Sequence, residues 1–144
     1  MKKSILLIED DPFLIDIYTT KLKEASFFIE VAEDGEEALR KIKDYNPPSP
    51  PTTSSGGGQA TQKGKKHIWP DLVVLDIVLP HIDGWEILKE IRESLNLKDL
   101  KVIILSNLGQ KEEVEKGLLL GATKYLIKAH YTPTEIVEEI KKII

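Results

Sequence analysis

The stretch Leu72-Val73-Val74-Leu75-Asp76 places a carboxylate directly after a continuously apolar run. Such a run is typical of a strand that is buried on both faces of a parallel sheet. Open α/β sheets hold their functional groups at the carboxyl ends of these strands. A second apolar run, Ile5-Leu6-Leu7-Ile8, is also followed by acidic residues, Glu9-Asp10-Asp11. Together the two runs predict one acidic pocket at a sheet edge, suited to a hard divalent cation.

Length, charge and composition narrow the class of protein. The chain has 144 residues, which fits one domain, and its formal net charge of −4 offers no basic surface for nucleic acid or anionic lipid. Without cysteine, disulfides, thiolate catalysis and cysteine-ligated zinc are excluded. No apolar run approaches the roughly 20 residues that cross a bilayer, and the first residues lead into a strand and not into a signal peptide. We therefore expect a cytoplasmic protein that binds neither nucleic acid nor membrane directly.

Strand-like runs alternate with helical patterns along the chain. The predicted strands are Ser4–Ile8, Phe27–Ala32, Leu72–Leu75, Lys101–Leu105 and Lys124–Ile127. Apolar residues recur at helical spacing after each of them, and a fourth helix at roughly Gln110–Leu120 carries Val114, Leu118 and Leu119 on one side. Helix starts are indicated by Asp11-Pro12, by Asp34 with Glu37, and by Thr132-Pro133. Five βα units in order predict an α/β fold, a five-stranded doubly wound parallel sheet with helices on both faces.

One segment interrupts this alternation. Residues at about 47–69 are rich in proline, glycine, serine and lysine, with no acidic residue. The segment joins the second helix to the third strand, and it is far longer than the usual connection of about 2–6 residues. We expect residues 1–144 to form a single domain that carries a flexible or polyproline-like insertion here, at the sheet edge away from Asp76.

The polar residues at the predicted strand ends resemble those of a known family. The first predicted strand is followed by the acidic pair Glu9-Asp10, and the third by Asp76 with Pro80 and Asp83-Gly84. The fourth is followed by Ser106 and the fifth by Lys128. In this order they resemble the receiver domains of two-component response regulators, over the whole chain except the insertion. The resemblance implies a flavodoxin-like receiver fold. Because the chain ends with the fifth helix, we expect a stand-alone receiver similar to chemotaxis regulators.

The resemblance implies a metal site. In the family a magnesium ion assists phosphoryl transfer. Carried over to this sequence, Asp10 and Asp76 would bind Mg²⁺ directly, the backbone carbonyl of Val78 would be a third ligand, and Glu9 would act through a water molecule.

It also implies a phosphoryl site and a switch. Asp76 would be the phosphoacceptor, Lys128 would pair with it and then with the phosphoryl oxygens, and Ser106 would donate its hydroxyl to the phosphoryl group. Tyr125 on the fifth strand would follow Ser106 inward. One departure from the family is Ala129, which stands where a proline preceded by a cis bond is usual, so the shape of the Lys128-Ala129 loop is open.

These residues favour a signalling switch over an enzyme in the usual sense. A histidine kinase or histidine phosphotransfer protein would supply the phosphoryl group, and autodephosphorylation would remove it. A downstream protein would read the fourth-helix, fifth-strand and fifth-helix surface, which could also form a phosphorylation-dependent homodimer. A degenerate receiver that only binds partners is an alternative. A phosphohydrolase similar to haloacid dehalogenases is disfavoured because Val78 stands where it needs a second carboxylate, and a flavodoxin-like cofactor binder is disfavoured because Glu9-Asp10-Asp11 would repel a phosphate.

Overall fold

The computed structural model of the chain describes residues 2–46 and 68–144. In these two ranges the strands are β1 Ser4–Ile8, β2 Phe28–Ala32, β3 Leu72–Leu75, β4 Lys101–Ser106 and β5 Lys124–Ile127. The α-helices are α1 Pro12–Glu24, α2 Gly35–Tyr45, α3 Gly84–Lys89, α4 Lys111–Leu119 and α5 Pro133–Ile143. A π-helical turn, Glu90–Ser94, extends α3. The predicted strands agree with these bounds to within one residue at each end.

The five strands form one parallel sheet in the order β2-β1-β3-β4-β5. Alternate residues of each strand enter two different packed clusters. Leu7, Val74, Ile103 and Leu126 lie on the face covered by α1 and α5, the α1/α5 face. Leu6, Val73, Leu75 and Ile104 lie on the opposite face, against α2 and α3. The predicted doubly wound parallel sheet is therefore confirmed.

The predicted helix starts are present. The Asp11 carboxylate accepts a hydrogen bond from the Phe13 amide at 2.9 Å, and Asp34 accepts one from Glu37 at 2.8 Å. At α5, Thr132 forms a reciprocal capping box with Glu135. These caps satisfy amides that have no partner inside their own helix, and they fix the residues at which α1, α2 and α5 begin.

The two leucines that the sequence places on one side of the fourth helix do not pack on the sheet. Leu118 and Leu119 are 48% and 87% exposed, and the buried residue of α4 is Gly117. A Cβ on Gly117 would lie 2.7 Å from Ile104 Cδ1 and 2.8 Å from Tyr125 Cδ2, so the helix approaches the sheet closely at this point. Successive residues of an α-helix are about 100° apart, which turns the two leucines away from the sheet.

The connection between α2 and β3 is closed at its base. Asn46 Nδ2 donates to the Trp69 carbonyl at 2.5 Å, and the Trp69 amide donates to Asn46 Oδ1 at 3.3 Å. The rings of Tyr45 and Trp69 pack with centroids 4.3 Å apart. Of the predicted insertion at about 47–69, residues 47–67 lie outside the described residues. Within the described part of the chain, no helix has the length and apolar character needed to cross a membrane.

Candidate functional site

The site lies at the carboxyl edge of the sheet, where Glu9, Asp76 and Lys128 directly follow β1, β3 and β5. Backbone hydrogen bonding of the sheet continues past the ends of β1 and β3. The Glu9 amide donates to the Ala32 carbonyl at 3.0 Å, and the Asp76 amide donates to the Ile8 carbonyl at 3.1 Å. These bonds hold the two carboxylates side by side on adjacent strands, as the sequence predicted.

One ammonium is shared between two buried carboxylates. Lys128 Nζ lies 2.8 Å from Glu9 Oε1 and 2.8 Å from Asp76 Oδ2. Glu9 is 2% exposed and Asp76 is 7% exposed, so neither charge is well solvated. A buried charge is tolerated when it is paired and hydrogen-bonded. We call Glu9, Asp76 and Lys128 the ionic cluster.

Burial and charge shift the protonation of this cluster. Burial raises the pKa of Glu9, the hydrogen bond from Lys128 opposes that shift, and the neighbouring charge of Asp76 adds to it. Burial lowers the pKa of Lys128, but its hydrogen bonds to Asp76 and Glu9 outweigh burial and raise the pKa overall. Lys128 is therefore a cation at neutral pH, held by two anionic partners.

The Asp76 carboxylate is fixed in orientation. Its Oδ1 accepts hydrogen bonds from the Ile77 amide at 2.7 Å and from the Val78 amide at 3.3 Å, while its Oδ2 faces Lys128. The loop after Asp76 is held by Gly84, whose amide donates to the Ile77 carbonyl at 2.8 Å. A Cβ on Gly84 would lie 2.5 Å from the Asp76 carbonyl oxygen, so only glycine permits this close approach of α3.

A group of three acidic side chains, suited to bind a cation, lies at the same edge of the sheet. Glu9, Asp10 and Asp76 each offer one carboxylate oxygen, and these oxygens lie within 4.8 Å of one another. Asp10 is exposed, whereas both Glu9 oxygens already accept hydrogen bonds, from Lys128 and from the Asp11 amide at 3.2 Å. Carboxylate oxygens are the ligands that Mg²⁺ prefers, so the donor set fits this ion. Asp11 itself caps α1, as the sequence indicated.

Ser106 and Tyr125 meet at the loop between β4 and α4. Ser106 is fully buried, and its Oγ accepts a hydrogen bond from the Leu108 amide at 3.2 Å. The Tyr125 hydroxyl donates to the Leu108 carbonyl at 2.5 Å. Burial raises the pKa of Tyr125, the charge of Glu113 adds to the shift, and a hydrogen bond to Ser106 opposes it. The two hydroxyls therefore contact one loop, and Ser106 makes no hydrogen bond to Asp76 or Lys128.

The Lys128-Ala129 bond is trans, since the cis peptide bond among the described residues is Trp69-Pro70. The chain forms a 3₁₀ turn over Lys128–His130 before it enters α5. The departure at Ala129 therefore does not prevent Lys128 from reaching Asp76.

Two residues that the sequence did not single out shape this region. Gly84 was noted as part of a motif, but its role depends on the distance between α3 and the Asp76 loop, which no local pattern reveals. Tyr18 on α1 is 6% exposed, burial raises its pKa, and the charges of Lys128 and Glu9 also act on it, in opposite directions.

Comparison with known proteins agrees with this geometry. The model of the response regulator receiver domain family matches residues 52–141, more than half of the chain. The chain is 32% identical to the alkaline phosphatase synthesis transcriptional regulatory protein PhoP of Bacillus subtilis, over 100% of this chain and 49% of that protein. It is 28% identical to the chemotaxis protein CheY of Halobacterium salinarum, over 100% of this chain and 98% of that protein.

Solved structures show the same fold. The receiver domain of the Francisella response regulator 1452 superposes with a TM-score of 0.75 at 27% identity, over 99% of this chain and 96% of that one. The chain spans about half the length of several curated relatives, such as PhoP, and nearly the whole length of CheY. With its parallel sheet, its strand-end carboxylates and this family match, the chain belongs to the response regulator receiver domain family.

Proposed function

We propose that this receiver domain is a signalling switch that accepts a phosphoryl group on Asp76 from a histidine kinase or a histidine phosphotransfer protein. The observation that carries the proposal is the position of Lys128 Nζ, 2.8 Å from Asp76 Oδ2 at the carboxyl edge of the sheet. On this proposal residues 1–144 form one receiver domain, into which the segment at about 47–69 is inserted.

Asp76 has the surroundings of a nucleophile. The Ile77 and Val78 amides orient its carboxylate, and the Lys128 ammonium pairs with its other oxygen. In the transfer an Asp76 oxygen attacks phosphorus, the new O–P bond forms as the N–P bond of phosphohistidine breaks, and the imidazole leaves. Negative charge then spreads over three equatorial oxygens, which an ammonium beside Asp76 can stabilise.

The acidic group supports a Mg²⁺-dependent reaction. Asp10, Asp76 and the Val78 carbonyl would hold the ion, and Glu9 would act through a water molecule because its oxygens already have partners. Bound Mg²⁺ would neutralise part of the charge that develops on the phosphoryl oxygens.

The contacts around Leu108 support a switch. Ser106 and Tyr125 both bond to this loop residue, so a movement of the Ser106 hydroxyl towards a phosphoryl group on Asp76 would also disturb the Tyr125 contact. Tyr125 in turn packs against α4 at Gly117. The surface formed by α4, β5 and α5, with Leu118 and Leu119 exposed on α4, would then be read by a downstream protein or by a second copy of the chain.

The test is intact mass after incubation with acetyl phosphate. With Mg²⁺ the wild-type protein should gain one phosphoryl group, and Asp76→Asn should gain none. Asp16→Asn, which removes an exposed carboxylate of α1, is the matched control and should behave as wild type. Chelation of Mg²⁺ should abolish the gain in the wild type and in Asp16→Asn.

Two results would contradict the proposal. Uptake by Asp76→Asn would place the phosphoryl group elsewhere. No uptake by the wild type would favour a degenerate receiver that binds partners without phosphorylation.

A further inference from the structure

Arg92 joins the end of α3 to the end of α4. It lies in the π-helical turn that extends α3, and it is partly buried. Its Nε and Nη2 donate to the Gly121 carbonyl at 3.1 and 2.7 Å, and its Nη1 donates to the Leu97 carbonyl at 2.7 Å. The planar guanidinium presents these donors in a rigid fork, so one side chain fixes both carbonyls relative to each other.

Gly121 belongs to the cap that terminates α4. Its amide donates to the Leu118 carbonyl at 3.1 Å, and the Ala122 amide donates to the Gly117 carbonyl at 3.0 Å, which are the two bonds of a Schellman motif. The φ of Gly121 is 109°, and a Cβ there would lie 2.9 Å from Arg92 Nε. Glycine is therefore needed both for the backbone angle and for the approach of Arg92, and the hydrogen bonds from Arg92 act on the cap itself.

The last turn of α4 has two further contacts near this cap. Lys116 Nζ lies 4.6 Å from the centroid of the Trp85 ring on α3, a cation–π contact. Towards the sheet, Gly117 leaves no space for a side chain between the helix and Tyr125. The C-terminal end of α4 is thus held by α3 on one side and by the sheet on another.

The N-terminal end of α4 is held differently. Within residues 2–46 and 68–144, the side-chain hydrogen bond of its first turn runs from the Gln110 amide to Glu113 at 2.9 Å and stays within this end of the helix. The preceding loop is joined to the sheet at Leu108, through the hydroxyls of Ser106 and Tyr125. These are the two side chains of the proposed switch, so a movement there reaches the N-terminal end of α4 first.

Helix α3 connects the fixed end of α4 to the site. Its first residue, Gly84, donates to the carbonyl of Ile77, the residue after Asp76, at 2.8 Å. Arg92 lies in the turn at the other end of α3 and holds Gly121. A helix of nine residues is about 13 Å long, and a rigid helix that is held at one end moves most at the other.

We propose that Arg92 is a positioning residue of the switch, which fixes the C-terminal end of α4 so that phosphorylation of Asp76 displaces the N-terminal end. The displacement rests on the proposed function, whereas the anchoring of Gly121 by Arg92 does not. The first turn of α4 is then the part of the helix surface that differs between the two states, and Leu118 and Leu119 lie near the fixed end.

The experiment measures the two ends of α4 separately, by electron spin resonance distances between two spin labels. The chain has no cysteine, so introduced cysteines are the only attachment sites. Arg40→Cys on α2 is combined with Lys111→Cys or with Leu119→Cys, all at exposed positions, to give the 111 pair and the 119 pair. With acetyl phosphate and Mg²⁺ we expect the 111 pair to shift by about 2 Å and the 119 pair to stay unchanged. Intact mass checks the gain of one phosphoryl group.

Arg92→Met removes the donors of the guanidinium and keeps an unbranched side chain. In this variant we expect the distance distribution of the 119 pair to broaden even without acetyl phosphate, and phosphorylation to shift both pairs. Arg92→Lys keeps the charge but lacks the fork, so it should give the same result. Lys98→Met removes an exposed charge from the next loop and should match wild type. Thermal melting checks that every labelled protein is folded.

Several outcomes would overturn the inference. Equal shifts of the 111 and 119 pairs in the wild type would mean that α4 moves as a whole. A narrow 119 distribution in both folded Arg92 variants would mean that the packing of Gly117 holds this end without Arg92. If the wild type takes up no phosphoryl group, the proposed function fails together with the displacement, but the 119 pair still decides whether Arg92 anchors α4.

Discussion

At the scale of single residues, the site is governed by two buried carboxylates that share one ammonium. Asp76 pairs with Lys128 through one oxygen, and its other oxygen accepts hydrogen bonds from two amides. For Glu9, burial is the largest influence on its pKa and raises it, although the hydrogen bond from Lys128 opposes that shift. The folded protein therefore favours the protonated form of Glu9 more than the unfolded chain does.

This imbalance predicts a pH dependence. A carboxyl with a raised pKa contributes stability that is fully present below its unfolded pKa, near 4.5, and is lost as pH rises through the folded value. In Glu9→Gln the side chain is neutral at every pH, so this variant lacks the loss of stability that rising pH causes in the wild type. In the absence of divalent cations, the free energy of unfolding of Glu9→Gln minus that of wild type should therefore increase from about pH 4 to about pH 7. Urea denaturation across this range measures it, with the exposed Glu36→Gln as control. A flat or falling difference would count against the shift in Glu9.

At the scale of elements, local sequence predicted the strands and helix starts well. Apolar runs of four to six residues and side-chain caps are local signals, and both were found where expected. The buried face of α4 was not predicted, since leucines normally mark the apolar side of a helix. Here Gly117 faces the sheet because Tyr125 occupies the space that a larger side chain would need.

Gly117→Ala tests this packing. At an unconstrained helix position, alanine in place of glycine stabilises by about 1 kcal/mol. At position 117 the new Cβ would meet Ile104 and Tyr125 at 2.7 and 2.8 Å, and overpacking costs about 1–3 kcal/mol. We expect a net loss of about 1 kcal/mol in the free energy of unfolding. Urea denaturation measures it, and Leu119→Ala on the same helix should change stability by less than about 0.5 kcal/mol. A stabilised Gly117→Ala protein would show that α4 can move away from Tyr125 at little cost.

At the scale of the whole molecule, strand order brings distant residues together. Because β1 lies between β2 and β3, Glu9 and Asp76 become neighbours although 66 residues separate them. The long connection that precedes β3 is closed by Asn46 and Trp69, at the opposite edge of the sheet from the site. The entropic cost of closing a connection rises only slowly with its length. The two hydrogen bonds between Asn46 and Trp69 can therefore hold the end of α2 beside the start of β3.

Asn46→Ala tests whether the Asn46–Trp69 hydrogen bonds stabilise the fold without affecting the site. Loss of two hydrogen bonds to the Trp69 backbone should lower the free energy of unfolding by about 1–2 kcal/mol. Phosphorylation of Asp76, measured by intact mass under native conditions, should be unchanged. Lys43→Ala, an exposed change one turn earlier in α2, is the control for stability. A slower phosphorylation of Asn46→Ala would show that the Asn46–Trp69 hydrogen bonds and the site are coupled.

The amino-acid order was sufficient for the strands, the caps and the polar residues at the carboxyl ends of β1, β3, β4 and β5. These features depend on period, on hydrogen-bonding side chains and on the place of a carboxylate after an apolar run, all of which act over a few residues. The sharing of Lys128 by Glu9 and Asp76 and the outward leucines of α4 required the folded chain. They depend on distances between residues far apart in sequence, which only the packing of helices on the sheet determines.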